Sequence, residues 1–233
     1  MERKVPFQTG EFYHLYTRGV EKRTVFTNEV DSERFLTLLL ISNDEKNFKL
    51  SNLSPAQRGF PSLVKRERKP IADIVAYSMM PNHVHIIARE RAPGGISKFM
   101  LKLMTGYSMY FNTKYERSGP LFTRPFRSRH VDTDAYLRRV FAYVTLNPLE
   151  LFDAQWKATG IADKTRALQF MRDYRYASFV DYFGGTRLES AITDKTALQS
   201  VATFGDIDCL LKELSNTAYE EISFTSGGAP SLV

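Results

Sequence analysis

The sequence predicts an α+β fold: a ferredoxin-like (RRM-like) palm with an antiparallel sheet, an additional helix behind it and a helical C-terminal extension. Three observations predict it. Apolar runs and helical stripes follow one another as strand–helix–strand–strand–helix–strand. The two central strands are joined only by Pro81-Asn82, a hairpin signal. A further helical stripe follows the fourth strand.

Residues 11–18, EFYHLYTR, alternate and are rich in aromatics, which reads as a strand followed by Gly19. A helix is expected from about Asn28 to Ile41, with Phe35, Leu36, Leu38, Leu39 and Leu40 as its apolar residues. Residues 44–70 contain Pro, Gly and the basic run KRERKP at 65–70, the composition of a long mobile loop. IADIVAYSMM (71–80) and VHIIARE (84–90) are the β-branched strands of the hairpin. After Pro93-Gly94-Gly95, residues Ile96, Phe99, Met100, Leu103, Met104 and Tyr107 fall on one helical stripe. Ser118-Gly119-Pro120 breaks the chain and FRSRHV (126–131) reads as a short strand. Asp132-Thr133 caps a third helix through about Asn147, which Pro148 helps to end. Residues 1–150 then form the main domain, 151–185 a helical extension packed on it, and 186–233 an unassigned extension. Helices are expected near 163–173 and 205–221, and a disordered Gly/Ser/Pro tail after them.

Composition narrows the function classes. Apolar residues make up 43% and charged residues 25%, the balance of a soluble globular protein. No apolar run approaches the roughly 20 residues of a membrane helix, and MERKVPFQTGEF lacks the apolar stretch of a secretory signal. A single cysteine, Cys209, excludes an internal disulfide and a thiolate zinc site. A cytoplasmic protein with no membrane partner is expected. The net charge of +6 is uneven: residues 1–150 hold 24 Lys and Arg against 15 Asp and Glu, and residues 151–233 hold 8 against 11. A basic region of that size attracts polyanions, nucleic acid above all, although a solvated lysine-rich surface has the same composition.

The residue types that carry chemistry cluster in two places. In Pro81-Asn82-His83-Val84-His85, positions 83 and 85 lie on one face of a strand and Val84 on the other. Two neutral imidazoles side by side are two ligands of a divalent-metal site; two solvated hairpin-end histidines would look the same. On the third helix, Tyr136, Val140, Tyr143 and Asn147 share a stripe, with Tyr143 and Asn147 one turn apart. The Asn147 amide oxygen could complete the metal site, beside the Tyr143 phenol and with the Arg139 guanidinium one turn away. An ordinary packing tyrosine fits the same stripe. His14, on the first strand, is a neighbour to the pair and reads as a supporting residue. Tyr107 and Tyr110 read as packing residues.

MPNHVH, GISKFMLKLMTGYSMYFNTKYERSGPLF and AYVTLNP, with YHLYTRGVEKRTVF before them and YRYASFVDYFG (174–184) after, resemble the single-tyrosine HUH transposases, specifically the REP-associated tyrosine transposase branch. The resemblance spans roughly residues 10–185, with Thr145 standing where many relatives carry an aromatic or isoleucine. It implies a ferredoxin-like palm that cuts single-stranded DNA beside hairpins of the REP type. It implies Mg²⁺ or Mn²⁺ on His83 and His85, Asn147 as third ligand, and Tyr143 as nucleophile.

In that chemistry a metal draws charge from the scissile phosphate. A nearby cation, from the metal or Arg139, would favour a phenol that is only about 0.1% ionised at pH 7. Attack joins Tyr143 to the 5′ phosphate and releases a 3′ hydroxyl, which can reverse the step on a new strand without ATP. Phosphate-positioning candidates are Arg18, Lys22, Arg23, Arg124, Arg127 and Arg129, with Lys65, Arg66, Arg68 and Lys69 as an electrostatic arm. The enzyme would act as a monomer or homodimer at the nucleoid. The rival reading is a catalytically silent ferredoxin-like nucleic-acid-binding protein, for which His83, His85, Tyr143 and Asn147 would have no use.

Overall fold

Strands β1 (Phe12–Arg18), β2 (Ala72–Met80), β3 (His83–Glu90) and β4 (Arg127–Val131) form one sheet in the order β2-β3-β1-β4. The structure is a computed structural model that describes residues 6–123, 125–199 and 207–215. All three strand pairs are antiparallel, so the order and directions are those of the ferredoxin-like fold expected above. No helix among the described residues is long and apolar enough to cross a membrane.

Strand pleating divides the sheet into two unlike faces. Leu15, Val84, Ile86 and Ala88 enter one core with helix α1 (Glu29–Ser42) and helix α2 (Gly95–Lys114). Asn28 caps α1 through its side chain, which accepts from the Asp31 N–H. Helix α2 has no side-chain cap at Gly94; instead the buried Glu90 carboxylate accepts from the N–H groups of Gly95 and Ile96, at 3.1 and 2.7 Å. A carboxylate at a helix N-terminus also suits the helix dipole. Gly95 is required there, since a Cβ would stand 2.0 Å from the Ile71 carbonyl oxygen. Tyr107 is buried in this core, its hydroxyl donating to Val25 O, as its place in the apolar stripe suggests.

The opposite face is covered by helix α3 (Asp134–Leu146), whose Val140, Phe141 and Val144 pack with Val75, Ala76 and Ile87. The chain beyond α3 thickens this second core. Trp156, from a short helical turn, joins it, as do Ala167 and Met171 of helix α4 (Lys164–Asp173), Phe179 of helix α5 (Phe179–Phe183), and Leu210 and Leu214 of helix α6 (Ile207–Ser215). Backbone bonds between Tyr77 and Ser178, and between Met79 and Tyr176, cover the outer edge of β2. The expectation of a helix over 205–221 is met by α6 as far as Ser215; residues 216–233, where the end of that helix and a disordered tail after it are expected, lie outside the described residues.

The segment 44–70 departs from the mobile loop expected of it. It forms short helical turns over Leu50–Asn52, Pro55–Gln57 and Phe60–Val64, and Leu63 is fully buried. Arg68 is a structural tie: its guanidinium donates to Leu40 O and Ala191 O, each at 3.1 Å, and so closes the gap between α1 and the C-terminal extension.

The α1–α2 seam is closed by a buried carboxylate. Asp31 accepts from Lys114, Tyr110, Tyr115 and Thr27. Burial alone would raise its pKa, but hydrogen bonds led by that from Lys114 bring it down to about 2. The stabilisation is therefore complete above the ordinary carboxylate range and is lost as pH falls through about 2 to 4. Asp31→Ala should destabilise the fold by on the order of 2 kcal/mol, because four donors, from the end of α2 and the segment before α1, lose their shared buried acceptor at once. Asp31→Asn should remove part of the acid-limb loss of stability. Urea unfolding at pH 7 and pH 3 reads both; a wild-type acid limb in Asp31→Asn refutes the assignment.

Candidate active site

His83 and His85 lie on β3, an inner strand, and face α3. The register sets Arg18 opposite His83 and Tyr16 opposite His85 on β1, with Ser78 opposite His85 on β2. The same pleat brings Arg127, opposite Tyr16, and Arg129, opposite His14, to this face from β4. Both arginines are exposed.

Helix α3 lays Tyr143 across the histidines. Its ring centroid is 5.2 Å from that of His85 and 6.0 Å from that of His14, both edge-on. Asn147 follows one turn later at the end of α3, where Pro148 removes the next helical donor. The His83 and His85 rings are 5.1 Å apart and nearly perpendicular. Two helical turns and two strand residues are thus brought into one buried cluster.

Each imidazole has its Nδ1 engaged. His83 Nδ1 lies 2.6 Å from Asn82 Oδ1, and His85 Nδ1 lies 2.9 Å from His14 Nε2. Asn82 Oδ1 can only accept, so His83 carries its proton on Nδ1 and presents Nε2. For His85 to present an unprotonated Nε2 in the same way, its Nδ1–H must donate to His14, whose proton then sits on its own Nδ1. The Asn82 side chain also donates to Lys22 O, tying the hairpin tip to a turn in which Glu21 and Lys22 both adopt positive φ, 58° and 59°.

Burial controls the protonation states. It lowers His14 to about 3 and His83 to about 4, and holds His85 well below its ordinary range; the Arg129 charge adds to the effect on His14, and Arg18 to that on His83. The Tyr143 phenol is pushed up to about 12 by burial, against smaller opposing effects of Asn147 and Arg18. At neutral pH the cluster is neutral: three imidazoles and a phenol.

The donor set suits a divalent cation. Neutral imidazoles are the ligating form, and the fully buried Asn147 amide has neither Oδ1 nor Nδ2 in a hydrogen bond of ordinary geometry. That is a costly state for an amide that a ligand would relieve. Only looser hydrogen bonds, to the His83 imidazole and the Tyr143 phenol, engage the amide; they raise the pKa of His83 and lower that of Tyr143. Among the described residues no group of three His, Cys, Asp or Glu side chains could hold a metal; the further donor beside the two imidazoles is the amide.

Other expected residues fall elsewhere. Arg139 packs 5.9 Å from the Tyr136 ring centroid, with Arg129 at 5.0 Å from the same ring. The cation that lowers the Tyr143 pKa is Arg18, on the neighbouring strand β1, where Arg139 was expected from helical spacing. Lys22 is exposed at the hairpin-tip turn, and Arg23 pairs there with Glu21. Lys65, Arg66 and Lys69 are exposed but precede the start of β2, whose far end meets His83; strand rise separates them by roughly 25 Å. Arg124 lies outside the described residues. Two site residues escaped the sequence reading. Tyr16 had a signal, since alternation puts it with His14 and Arg18. Lys157 had none; its Nζ stands 5.5 Å from the Tyr143 ring centroid.

Residues 63–147 match the model of the IS200-like transposase family. The match ends on Asn147 and contains both histidines and Tyr143. Among solved structures, a REP-associated tyrosine transposase bound to a REP hairpin is similar over 89% of this chain and 93% of its own, with 12% identity and a TM-score of 0.45. Among curated proteins no match to the sequence is found.

The depressed histidines fix a pH dependence. An imidazole that takes a proton near 6.5 when unfolded, but only near 3 to 4 when folded, contributes stability that is present above about 6.5 and is lost as pH falls towards 4. With chelator present, unfolding free energy should fall over that window. His14→Asn should flatten the slope by up to about 1.4 kcal/mol per pH unit, one proton's worth. An unchanged slope in that variant would show that His14 titrates normally.

Proposed function

We propose that this chain, an IS200-like transposase over its 63–147 segment, is a metal-dependent enzyme that cuts and rejoins single-stranded DNA beside hairpins through a 5′-phosphotyrosine intermediate on Tyr143. The observation that carries the proposal is the convergence of Tyr143, His83, His85 and the fully buried Asn147 amide in one uncharged cluster. A packing tyrosine needs none of these neighbours, and a DNA-binding surface does not need them buried.

His83, His85 and Asn147 would hold Mg²⁺ or Mn²⁺, which when bound draws charge from the scissile phosphate and fixes its position. The remaining chemistry belongs to the chain. The Tyr143 oxygen attacks phosphorus, the bond from phosphorus to the 3′ oxygen breaks, the phenolic proton leaves to solvent, and the 3′ oxygen takes a proton from solvent. Because the linkage in the adduct is a phosphodiester like the one broken, the 3′ hydroxyl of another strand can reverse the step. Arg18 offsets part of the burial that keeps the phenol protonated. Arg18, Arg127 and Arg129, all on this face, position the DNA backbone; Lys22 and Arg23 extend the basic edge at the hairpin tip. Lys65, Arg66 and Lys69 act at a distance, as attraction rather than contact. In this reading residues 1–150 are the nuclease domain, 151–185 a helical extension packed on it, and 186–233 an extension without an assigned role, of which Leu210 and Leu214 pack in the same core as α3.

The test is covalent adduct formation. Labelled hairpin DNA with randomised single-stranded flanks, mixed with the protein and Mn²⁺, should give a species that survives denaturing electrophoresis, with its mass on the peptide holding Tyr143. Tyr143→Phe, His83→Ala and His85→Ala should abolish it. Asn147→Ala should lower it and raise the metal requirement, and Asn147→Leu should do so more strongly, because leucine keeps water from replacing the amide. Mn²⁺ should act at lower concentration than Mg²⁺, since it accepts nitrogen ligands more readily. An adduct formed by Tyr143→Phe would sink the assignment; binding with no adduct under any metal would leave only the binding module.

A further inference from the structure

Lys157 lies outside the family segment and outside every motif in the sequence. It extends from a short helical turn, Trp156–Thr159, whose Trp156 is buried in the second core. From there its Nζ reaches the Tyr143 ring, and its charge depresses both His83 and His85. The ammonium therefore overlooks the nucleophile and the paired imidazoles together. Burial lowers its own pKa to about 8, and the Glu150 carboxylate is in contact with it. Both members of that pair keep part of their side chains in solvent, 22% for Lys157 and 33% for Glu150.

An ammonium on a flexible stem, beside a group that must receive a phosphate, is a point charge for an anion. The Glu150 carboxylate satisfies it from the surface side and can be exchanged there for another anion. We infer that Lys157 contacts the substrate: it takes a non-bridging oxygen of the phosphate held at Tyr143, releasing Glu150 as it does so. The inference rests on Tyr143 as nucleophile. Lys157 stays protonated throughout, so no proton or bond is added to the reaction; it opposes the charge that grows on the phosphate oxygens during attack. The catalytic centre of the 63–147 segment would then be completed by a cation from the extension behind it.

Two experiments on the full chain test this. In the first, Tyr143→Phe protein in chelator binds the same randomised-flank hairpin DNA across a salt series. Adding Lys157→Met should reduce the slope of log affinity against log salt by about 0.7, the loss of one single-strand phosphate contact. Lys157→Arg should keep the slope. Glu150→Gln should tighten binding, by roughly two- to fivefold, because the competing carboxylate is gone. A purely structural ion pair would instead make both partners' variants weaken binding and lower the melting temperature alike. In the second, with Tyr143 intact and Mn²⁺ present, Lys157→Met should slow adduct formation by on the order of 10²-fold without moving the Mn²⁺ half-saturation. An unchanged salt slope in Lys157→Met, or Glu150→Gln that binds more weakly, overturns the inference. Wild-type protein that binds but forms no adduct defeats the nucleophile assignment, while the salt slope still scores the phosphate contact.

Discussion

Desolvation of a polar row on an inner strand is the constraint on which the site depends. β3 has a neighbour on each side, and α3 lies across its second face, so His83 and His85 are sealed from water. In that environment a charged imidazole is strongly disfavoured. The histidines are therefore neutral, the phenol is protonated, and an amide is fully buried against His83 and Tyr143. These are expensive features for a fold. They are concentrated on one face; the other face of the same sheet holds an ordinary apolar core.

That division separates stability from chemistry. The α1–α2 core contains its own polar anchors, Asp31 with its donors and Glu90 at the start of α2, all satisfied. The second core must instead press α3 onto the sheet closely enough to keep Tyr143 and Asn147 in register with two strand histidines. Residues far along the chain do this: Trp156, Met171, Phe179, Leu210 and Leu214 all pack behind α3 or beside it. The C-terminal extension is thus part of the site's geometry even where it supplies no reacting group.

The His14–His85 contact adds a directional element. Ligation through His85 Nε2 is compatible with only one of the two tautomers the pair can adopt, the one in which His14 accepts. A buried neutral histidine in that place can adopt either role, whereas an apolar residue there would leave His85 Nδ1 without its partner. His14 is in this sense a positioning residue, and its low exposure and low pKa follow from the same burial.

Much of this was legible in the sequence because it depends on local period. A repeat of two puts His83 and His85 on one face and Val84 on the other; a repeat near 3.6 stacks Tyr143 on Asn147; Pro81-Asn82 and Pro148 mark where strand and helix end. The strand order followed from the order of elements. Which charges meet did not. Helical spacing offered Arg139 to Tyr143, but the side chain packs on Tyr136, and Arg18 acts on the phenol from another strand. Arg68 sits in a basic run that composition assigns to solvent, yet it ties Leu40 to Ala191 across the chain. Lys157 carries no signal in its own neighbourhood, and only the packing of Trp156 brings it over Tyr143. Periodicity fixes the face of an element from nearest neighbours along the chain, so sequence alone determined the elements and the residues they present. Long flexible cations choose partners by distance and desolvation across elements, and those exist only once the two cores have closed.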